Sequence, residues 1–141
     1  MSESAELTSV RQWAERLLEI DAVVQALGIE LDDVGPGRAR MSMTVSATMV
    51  NGIGIVHGGM IFTLADCAFA MACNSHGTVS VARSCEIEFI RPARLGDRLV
   101  ATATERRRLP RGGIYDVEVA LADGEPIAEF RGHSRPAPAE D

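Results

Sequence analysis

The fold is decided by one stretch of sequence, GGMIFTLADCAFAMACN at residues 58–74. Apolar side chains fall on every side of a helix drawn through it, and a helix of this kind is buried. Gly77 follows shortly afterwards, and glycine commonly lies just beyond a helix end. A sheet must curl around a fully apolar helix to cover it, which predicts an α+β fold rather than a parallel doubly wound one.

The segments around this helix predict one further helix and six strands. Residues 9–27 repeat apolar side chains at helical spacing, between a capping box and the stop at Gly28. Apolar runs and the turn sequences 110–113 and 123–124 predict strands, of which the last four are expected to form an antiparallel meander. The predicted strands cover about 29–34, 39–47, 79–90, 98–107, 114–122 and 126–133. Residues 1–141 are expected to form a single domain, with frayed ends at 1–8 and 136–141.

Asp66 is the single carboxylate between Asp33 and Glu86, and it lies in the most apolar part of the chain. An ionised carboxylate on a buried helix costs several kcal/mol unless it is paired or reaches water. No arginine lies one turn away to pair with it. Asp66 could bond nearby backbone or face a wet subunit contact. We favour a carboxylate held in an apolar cleft as nucleophile or general base.

The sequence His57-Gly58-Gly59 opens the buried helix. A helix start presents unpaired backbone N–H groups at the positive end of its dipole, and glycines let a ligand approach them closely. These N–H groups could polarise a carbonyl and hold an oxyanion, although a glycine turn could also serve chain direction alone. Gly58 and Asp66 would lie about 12 Å apart along one helix. If both act on one bond, they must come from different subunits, which implies a dimer.

Two further residues precede the helix. Asn51 could hold a water or orient a carbonyl, or it could satisfy the turn that Asn-Gly sequences favour. His57 is expected to brace the loop by hydrogen bonding rather than to act as a base.

Composition excludes several classes of function. The chain has 141 residues, of which 46% are hydrophobic, and its net charge of −6 argues against nucleic-acid or anionic-membrane binding. All 14 basic residues are arginine, so chemistry that needs a lysine amine is excluded. The three cysteines are an odd number, and no leader or membrane-spanning run is recognisable, so a cytoplasmic location is expected. Cys73 and His76 lack a second ligand pair, so neither a metal nor a cofactor is expected.

The motifs of the chain resemble those of hotdog-fold acyl-CoA thioesterases of the phenylacetic-acid-degradation (PaaI-type) kind. The resemblance covers about residues 27–135. It is carried by His57-Gly58-Gly59 with Asp66 nine positions after the histidine, by Ala68-Phe69-Ala70, by Ala72-Cys73-Asn74-Ser75, by Phe89-Ile90-Arg91-Pro92-Ala93 with Gly96-Asp97, and by Tyr115-Asp116-Val117.

The resemblance implies a long central helix wrapped by a curved antiparallel sheet, with subunits paired sheet to sheet and dimers commonly associated as a homotetramer. It implies that Asp66 is the catalytic carboxylate, that the amide of Gly58 comes from the partner subunit, and that Asn51 matches the asparagine before the loop. Some relatives place a hydroxyl on the strand after the helix to steer water. Ser84 is the candidate here, with Ala82 as the alternative position.

The implied substrate is an aryl-acyl-CoA such as phenylacetyl-CoA or a ring-hydroxylated relative, in phenylacetate catabolism. A short-chain, medium-chain or other aryl thioester is the alternative. Arginine forks suit the phosphates of CoA, although the arginines could equally be solvated surface charge. The predicted substrate-binding residues are Gly59, Phe69, Ser84, Arg91, Pro92, Arg107, Arg111 and Gly112. A hotdog hydratase or dehydratase and a non-catalytic acyl-CoA-binding module are the rival functions. The first is disfavoured because the helix body has no histidine.

Overall fold

A long helix packs against one six-stranded antiparallel sheet and contacts every strand of it in the computed structural model, which describes residues 2–138. The predicted α+β architecture, a central helix wrapped by a sheet, is confirmed. The elements are α1 (Glu3–Ile20), α2 (Ala22–Leu27), β1 (Glu30–Gly35), β2 (Arg38–Thr44), α3 (Gly58–Asn74), β3 (Ser80–Phe89), β4 (Arg98–Leu109), β5 (Gly112–Leu121) and β6 (Pro126–Pro136). A short 3-10 turn covers Ala47–Met49.

The strands lie in the order β1-β2-β4-β5-β6-β3. The predicted meander is therefore correct for β4, β5 and β6 but wrong for β3, which lies at the sheet edge beside β6. Short turns at 110–111 and 122–125 make β4, β5 and β6 neighbours. Residues 90–97 form no such turn, because Ala93 instead accepts a hydrogen bond from Val56 before α3. This connection leaves β4 free to pair with β2.

The N-terminal helix differs from its prediction at both ends. It begins at Glu3, because the side chain of Ser2 caps it by accepting the N–H of Ala5, so residues 3–8 are helical rather than frayed. The helix is also broken at Asp21, whose carboxylate accepts the N–H groups of Val23 and Val24 and starts α2. At the other end β6 extends to Pro136. The predicted fraying of Met1 and of 139–141 lies outside the described residues.

One stripe of α3 is left uncovered by the chain's own sheet. Leu64, Ala65 and Ala68 are fully buried against the strands, whereas Phe62 and Ala70 on the opposite side are half-buried. The neighbouring edge strand β3 is also exposed along most of its length. The helix thus has a second, largely apolar face that the chain covers only in part. None of the helices within residues 2–138 has the length and apolar character that a membrane crossing requires.

Candidate active site

Asp66 lies on the uncovered stripe of α3, two turns from either end of the helix. Burial raises the pKa of its carboxyl above the usual value for aspartate, and no charged or hydrogen-bonding neighbour among the described residues offsets this effect. A half-buried carboxylate without a partner is more basic than an exposed one. The arrangement suits a group that accepts a proton or attacks an electrophile.

Three thiols surround this carboxylate. Burial is the main cause that raises the pKa of Cys67 and Cys73 to about 12 and raises that of Cys85 as well. The charge of Asp66 adds to it in all three, and for Cys67 the charge of Asp21 adds more. Thiols of this kind stay protonated and unreactive at neutral pH. They therefore form an apolar wall rather than a second nucleophile. Within residues 2–138, no three His, Cys, Asp or Glu side chains gather in a way that would hold a metal ion.

The N-terminal end of α3 keeps backbone donors free. The N–H groups of Gly58 and Gly59 have no acceptor in the described part of the chain, because the helix starts at these residues. The loop before them is held by the backbone of His57, whose N–H donates to the carbonyl of Met49 at 2.9 Å. The imidazole of His57 is exposed and caps nothing, so the prediction that its side chain braces the loop is wrong. Its backbone performs that role.

Asn51 organises the same loop from the other side. Its side-chain oxygen accepts the N–H groups of Ile53 and Ile55 at 3.0 and 3.2 Å. This geometry supports the interpretation of Asn51 as a turn residue, because its carbonyl is used by the loop. The side-chain nitrogen of Asn51 makes no hydrogen bond within residues 2–138 and can donate to a ligand.

A cavity of about 430 Å³ opens beside the helix start. It brings together four predicted site residues, Asn51, Gly58, Arg91 and Pro92. Apolar side chains supply the remaining walls: Ile55, Val56, Ile61, Phe89 and Ile90. Phe89 belongs to the quoted Phe89-Ile90-Arg91-Pro92-Ala93 motif, but it was not predicted to be a site residue.

The ring of Phe89 packs against Gly58. A Cβ placed on Gly58 would come within 2.9 Å of this ring, which is closer than a carbon contact allows. A side chain at position 58 would therefore displace the ring of Phe89. Arg91, at the rim, forms an exposed ion pair with Glu125 at 2.9 Å. A surface pair of this kind is weak, so it leaves Arg91 available to an anionic ligand.

Phe69 does not line this cavity, so its prediction as a substrate-binding residue is wrong for the structure. Its ring is 1% exposed and packs against Tyr115 and Phe130 with ring centroids 5.6 and 5.8 Å apart. Gly132 faces the ring so closely that a Cβ there would lie 2.7 Å from it. The aromatic side chain that stays open near Asp66 is Phe62, one helical turn before it.

Ser84 faces away from α3, so the prediction that it steers water at Asp66 is wrong. Ser84 pairs with His133, whereas the alternating residues Cys85 and Ile87 face the core. A bulge between residues 82 and 84 returns Ala82 to the helix side, opposite the buried Ser134. The alternative position therefore faces the site, and it carries no hydroxyl.

Three predicted CoA contacts cluster at the β4–β5 turn: Arg107, Arg111 and Gly112. Along β6, the partner of Phe89 and the partner of Gly113 are six residues apart, or about 20 Å. One chain therefore does not bring this turn to the cavity at Gly58. Arg107 pairs with the half-buried Ile114 on the outer face of the sheet. Glycine at 112 has a structural reason, since a Cβ there would overlap the carbonyl oxygen of Ser134.

In one chain, Asp66 is separated from the cavity that contains Gly58. Gly59 is exposed at the helix start, in open space. Asp66 does not line the cavity that contains Gly58, since the two residues lie on one rigid helix about 12 Å apart. A single thioester can reach both only if a second copy brings its own helix alongside.

Known proteins share this fold and these motifs. The sequence profile of the thioesterase superfamily matches residues 53–128. The acyl-coenzyme A thioesterase PaaI of Escherichia coli K12 is 46% identical over 123 residues, which cover 87% of this chain and 88% of that protein. The chain therefore belongs to the thioesterase superfamily, and the resemblance stated from its motifs is confirmed.

Solved structures agree with this assignment. The structure of the E. coli PaaI protein from the phenylacetic acid degradation operon has a TM-score of 0.91 and 42% identity, and it covers 98% of both chains. A mutant of the phenylacetic acid degradation protein PaaI from Thermus thermophilus has a TM-score of 0.79 and 36% identity, over 83% of this chain and 100% of that one. The predicted hotdog fold and the predicted class of thioester hydrolase are both confirmed.

Proposed function

We propose that the chain hydrolyses an aryl-acyl-CoA, such as phenylacetyl-CoA or a ring-hydroxylated relative, to the free acid and CoA. The observation that carries the proposal is the unpaired, half-buried carboxylate of Asp66 on a helix whose first N–H groups are free. The relatives named for acyl-CoA hydrolysis and phenylacetic acid degradation support the substrate class. The apolar cavity walls beside Gly58 suit the apolar part of such a thioester.

The working enzyme in this proposal is a dimer with its active sites at the interface. Strand β3 has a partner on one side only, and most of its residues are exposed. A free edge and a half-exposed apolar helix stripe side by side are a surface that a second copy can cover. A two-fold axis would pair the two β3 edges and bring each Gly58 towards the partner's Asp66. Association of two such dimers as a homotetramer remains a prediction.

The two groups divide the chemistry. The N–H of Gly58 donates to the thioester carbonyl oxygen and stabilises the charge that develops there. In one route Asp66 takes a proton from water, the oxygen attacks the carbonyl carbon, and the C–S bond breaks to release CoA thiolate. In the other, Asp66 attacks directly, the C–S bond breaks, and water hydrolyses the resulting mixed anhydride. Both routes need Asp66 ionised.

The other ligand contacts follow from charge and location. Arg91 and Pro92 at the cavity rim are proposed to contact the substrate. Arg107, Arg111 and Gly112 are proposed to contact CoA phosphates across the subunit contacts, since one chain keeps them far from the cavity. We also propose a cytoplasmic location, which suits three cysteines that are all free thiols.

The deciding experiment mixes purified protein with phenylacetyl-CoA and a reagent that reports free thiols. Release of CoA at a rate proportional to enzyme supports hydrolysis, and short- and medium-chain thioesters in parallel establish the acyl preference. Binding without CoA release would support the rival binding module. Hydration of an enoyl-CoA without thiol release would support the rival hydratase, which α3 disfavours because it contains no histidine.

A further inference from the structure

Consecutive side chains at the C-terminal end of α3 tie the helix to different parts of the sheet. The hydroxyl of Ser75 accepts the N–H of Gly37 in the β1–β2 turn at 2.8 Å. The Nε2–H of His76 donates to the carboxylate of Glu105 on β4 at 2.8 Å, and Tyr115 on β5 donates to the same carboxylate at 2.9 Å. These contacts hold the helix end on the half of the sheet away from β3.

Asn74 makes the corresponding contact with β3, and it does so through backbone groups. Its side-chain oxygen accepts the N–H of Ser80 at 2.7 Å, and its nitrogen donates to the carbonyl of Ser80 at 3.1 Å. The same nitrogen donates to the carbonyl of Ala70 at 2.9 Å, which fixes the side chain on the helix. The amide of Asn74 thus occupies both backbone groups of Ser80, as a neighbouring strand would.

The groups that Asn74 occupies belong to the free edge of β3. Ser80 lies opposite Pro136, and the flanking bond runs from the N–H of Ala137 to the carbonyl of Val79 at 2.8 Å. In an antiparallel ladder, a residue between two such bonds directs its own N–H and C=O away from the partner strand. The first outward-facing position of β3 is therefore closed to any further strand.

We propose that Asn74 is a positioning residue that fixes the register in which β3 of a second copy pairs with β3. With Ser80 occupied, pairing can begin only from Ala82 onward. A slip of two residues would move the partner by about 7 Å. This shift would carry the partner's Gly58 out of reach of Asp66. A misplacement of only about 1 Å already costs about 100-fold in rate. The inference rests on the proposed function and its dimer.

The register can be measured without any activity. Single cysteines are placed in turn along residues 81–88 of a variant whose three native cysteines are replaced, and disulfide formation between copies is followed. Residues near the two-fold axis cross-link and the others do not, because a disulfide needs Cα atoms about 4.4–6.8 Å apart. We expect one dominant position with Asn74 intact. With Asn74→Ala we expect a second position one residue away, because a two-residue slip in a two-fold antiparallel pair moves the residue on the axis by half that amount.

Ser75→Ala is the matched control, because it removes an anchor from the same helix end without touching β3. It should lower thermal stability while leaving the cross-linking position and kcat unchanged. Asn74→Ala should lower kcat at least about tenfold with little change in KM, since the partner's amide is displaced. Asn74→Asp keeps an acceptor for the N–H of Ser80, so its kcat should lie between those of the parent and Asn74→Ala. This variant replaces Asn74→Ala in the test if the alanine variant fails to fold.

The outcomes separate the two proposals. An unchanged cross-linking position in Asn74→Ala and Asn74→Asp overturns the role of Asn74. Absence of any cross-link along β3 in the parent also overturns it, because the strands then do not pair. An inactive parent that nevertheless shifts its register with Asn74→Ala supports the positioning role and refutes only the proposed hydrolysis.

Discussion

The two ends of α3 differ in how their polar groups are used. At the N-terminal end, Gly58 and Gly59 keep their N–H groups free beside an open cavity. At the C-terminal end, Asn74, Ser75 and His76 each bind a different part of the sheet. Firm anchoring at one end lets the helix present unsatisfied groups at the other without losing its position, and Asp66 lies between them.

Among the variants that test this contrast, Asp66→Asn has the largest expected effect. The substitution keeps the shape of the side chain but removes the base or nucleophile, so kcat should fall about 10²- to 10⁴-fold. Circular dichroism and the oligomeric mass should match those of the parent, since Asp66 has no partner to lose among the described residues. Hydrolysis of phenylacetyl-CoA at the parental rate would remove Asp66 from the mechanism.

The pH dependence tests the burial of the same group. Because burial raises the pKa of Asp66, kcat/KM should fall about tenfold per pH unit below that pKa, starting at a higher pH than the usual aspartate value. The free energy of unfolding changes in the opposite direction and should fall as the pH rises through the pKa of Asp66. Ionising a desolvated carboxylate costs free energy in the folded state.

The melting temperature provides the check on that sign. Asp66→Asn should melt higher than the parent at pH above the raised pKa, and the difference should close as the pH falls through it. A gap that is independent of pH would show that burial does not control this carboxyl.

Gly58→Ala tests the catalytic end. The new methyl group would lie 2.9 Å from the Phe89 ring and push it into the cavity, so kcat should drop about tenfold to 100-fold. Gly52→Ala is the control, because a Cβ there meets nothing within 4 Å. Adding Phe89→Leu to Gly58→Ala should restore part of the lost rate. No recovery would mean that the ring is not the obstacle.

Tyr115→Phe tests the anchored end and has the smallest expected effect. It removes the hydrogen bond to Glu105 while the carboxylate keeps that of His76, so the free energy of unfolding should fall by about 1 kcal/mol. Urea denaturation measures this change. Steady-state kinetics should give the parental kcat and KM, and a large kinetic effect would mean that the anchored end also takes part in the chemistry.

Local patterns were sufficient for much of the fold. The apolar run of 58–74 predicted α3 at its observed bounds, and Asp123-Gly124 predicted the hairpin between β5 and β6. Each of these patterns depends mainly on neighbouring residues, and the tertiary structure keeps both elements. One failure occurred where distant groups decide, and another where a local cap competes with a helical pattern. The edge position of β3 follows from the 90–97 connection, and the break at Asp21 follows from a cap stronger than the helical pattern across it.

The candidate site divides in the same way. Asp66 and Gly58 could be named from charge, glycine and helical spacing, because residue type and separation along one helix determine both their chemistry and their distance of about 12 Å. The sequence could not predict which side of the sheet Ser84 and Ala82 face, because a one-residue bulge inverts the side on which every later residue lies.

The sequence by itself determined that a lone acid would sit on a buried helix and that one helix could not complete the site. Only the tertiary structure decided that Phe69 belongs to the core, that Phe89 packs against Gly58, and that Asn74 closes the edge of β3. The physical reason is that the solvation of a side chain and its spacing along one helix depend on residues near it in the sequence. Packing and edge hydrogen bonds depend on which distant strands meet.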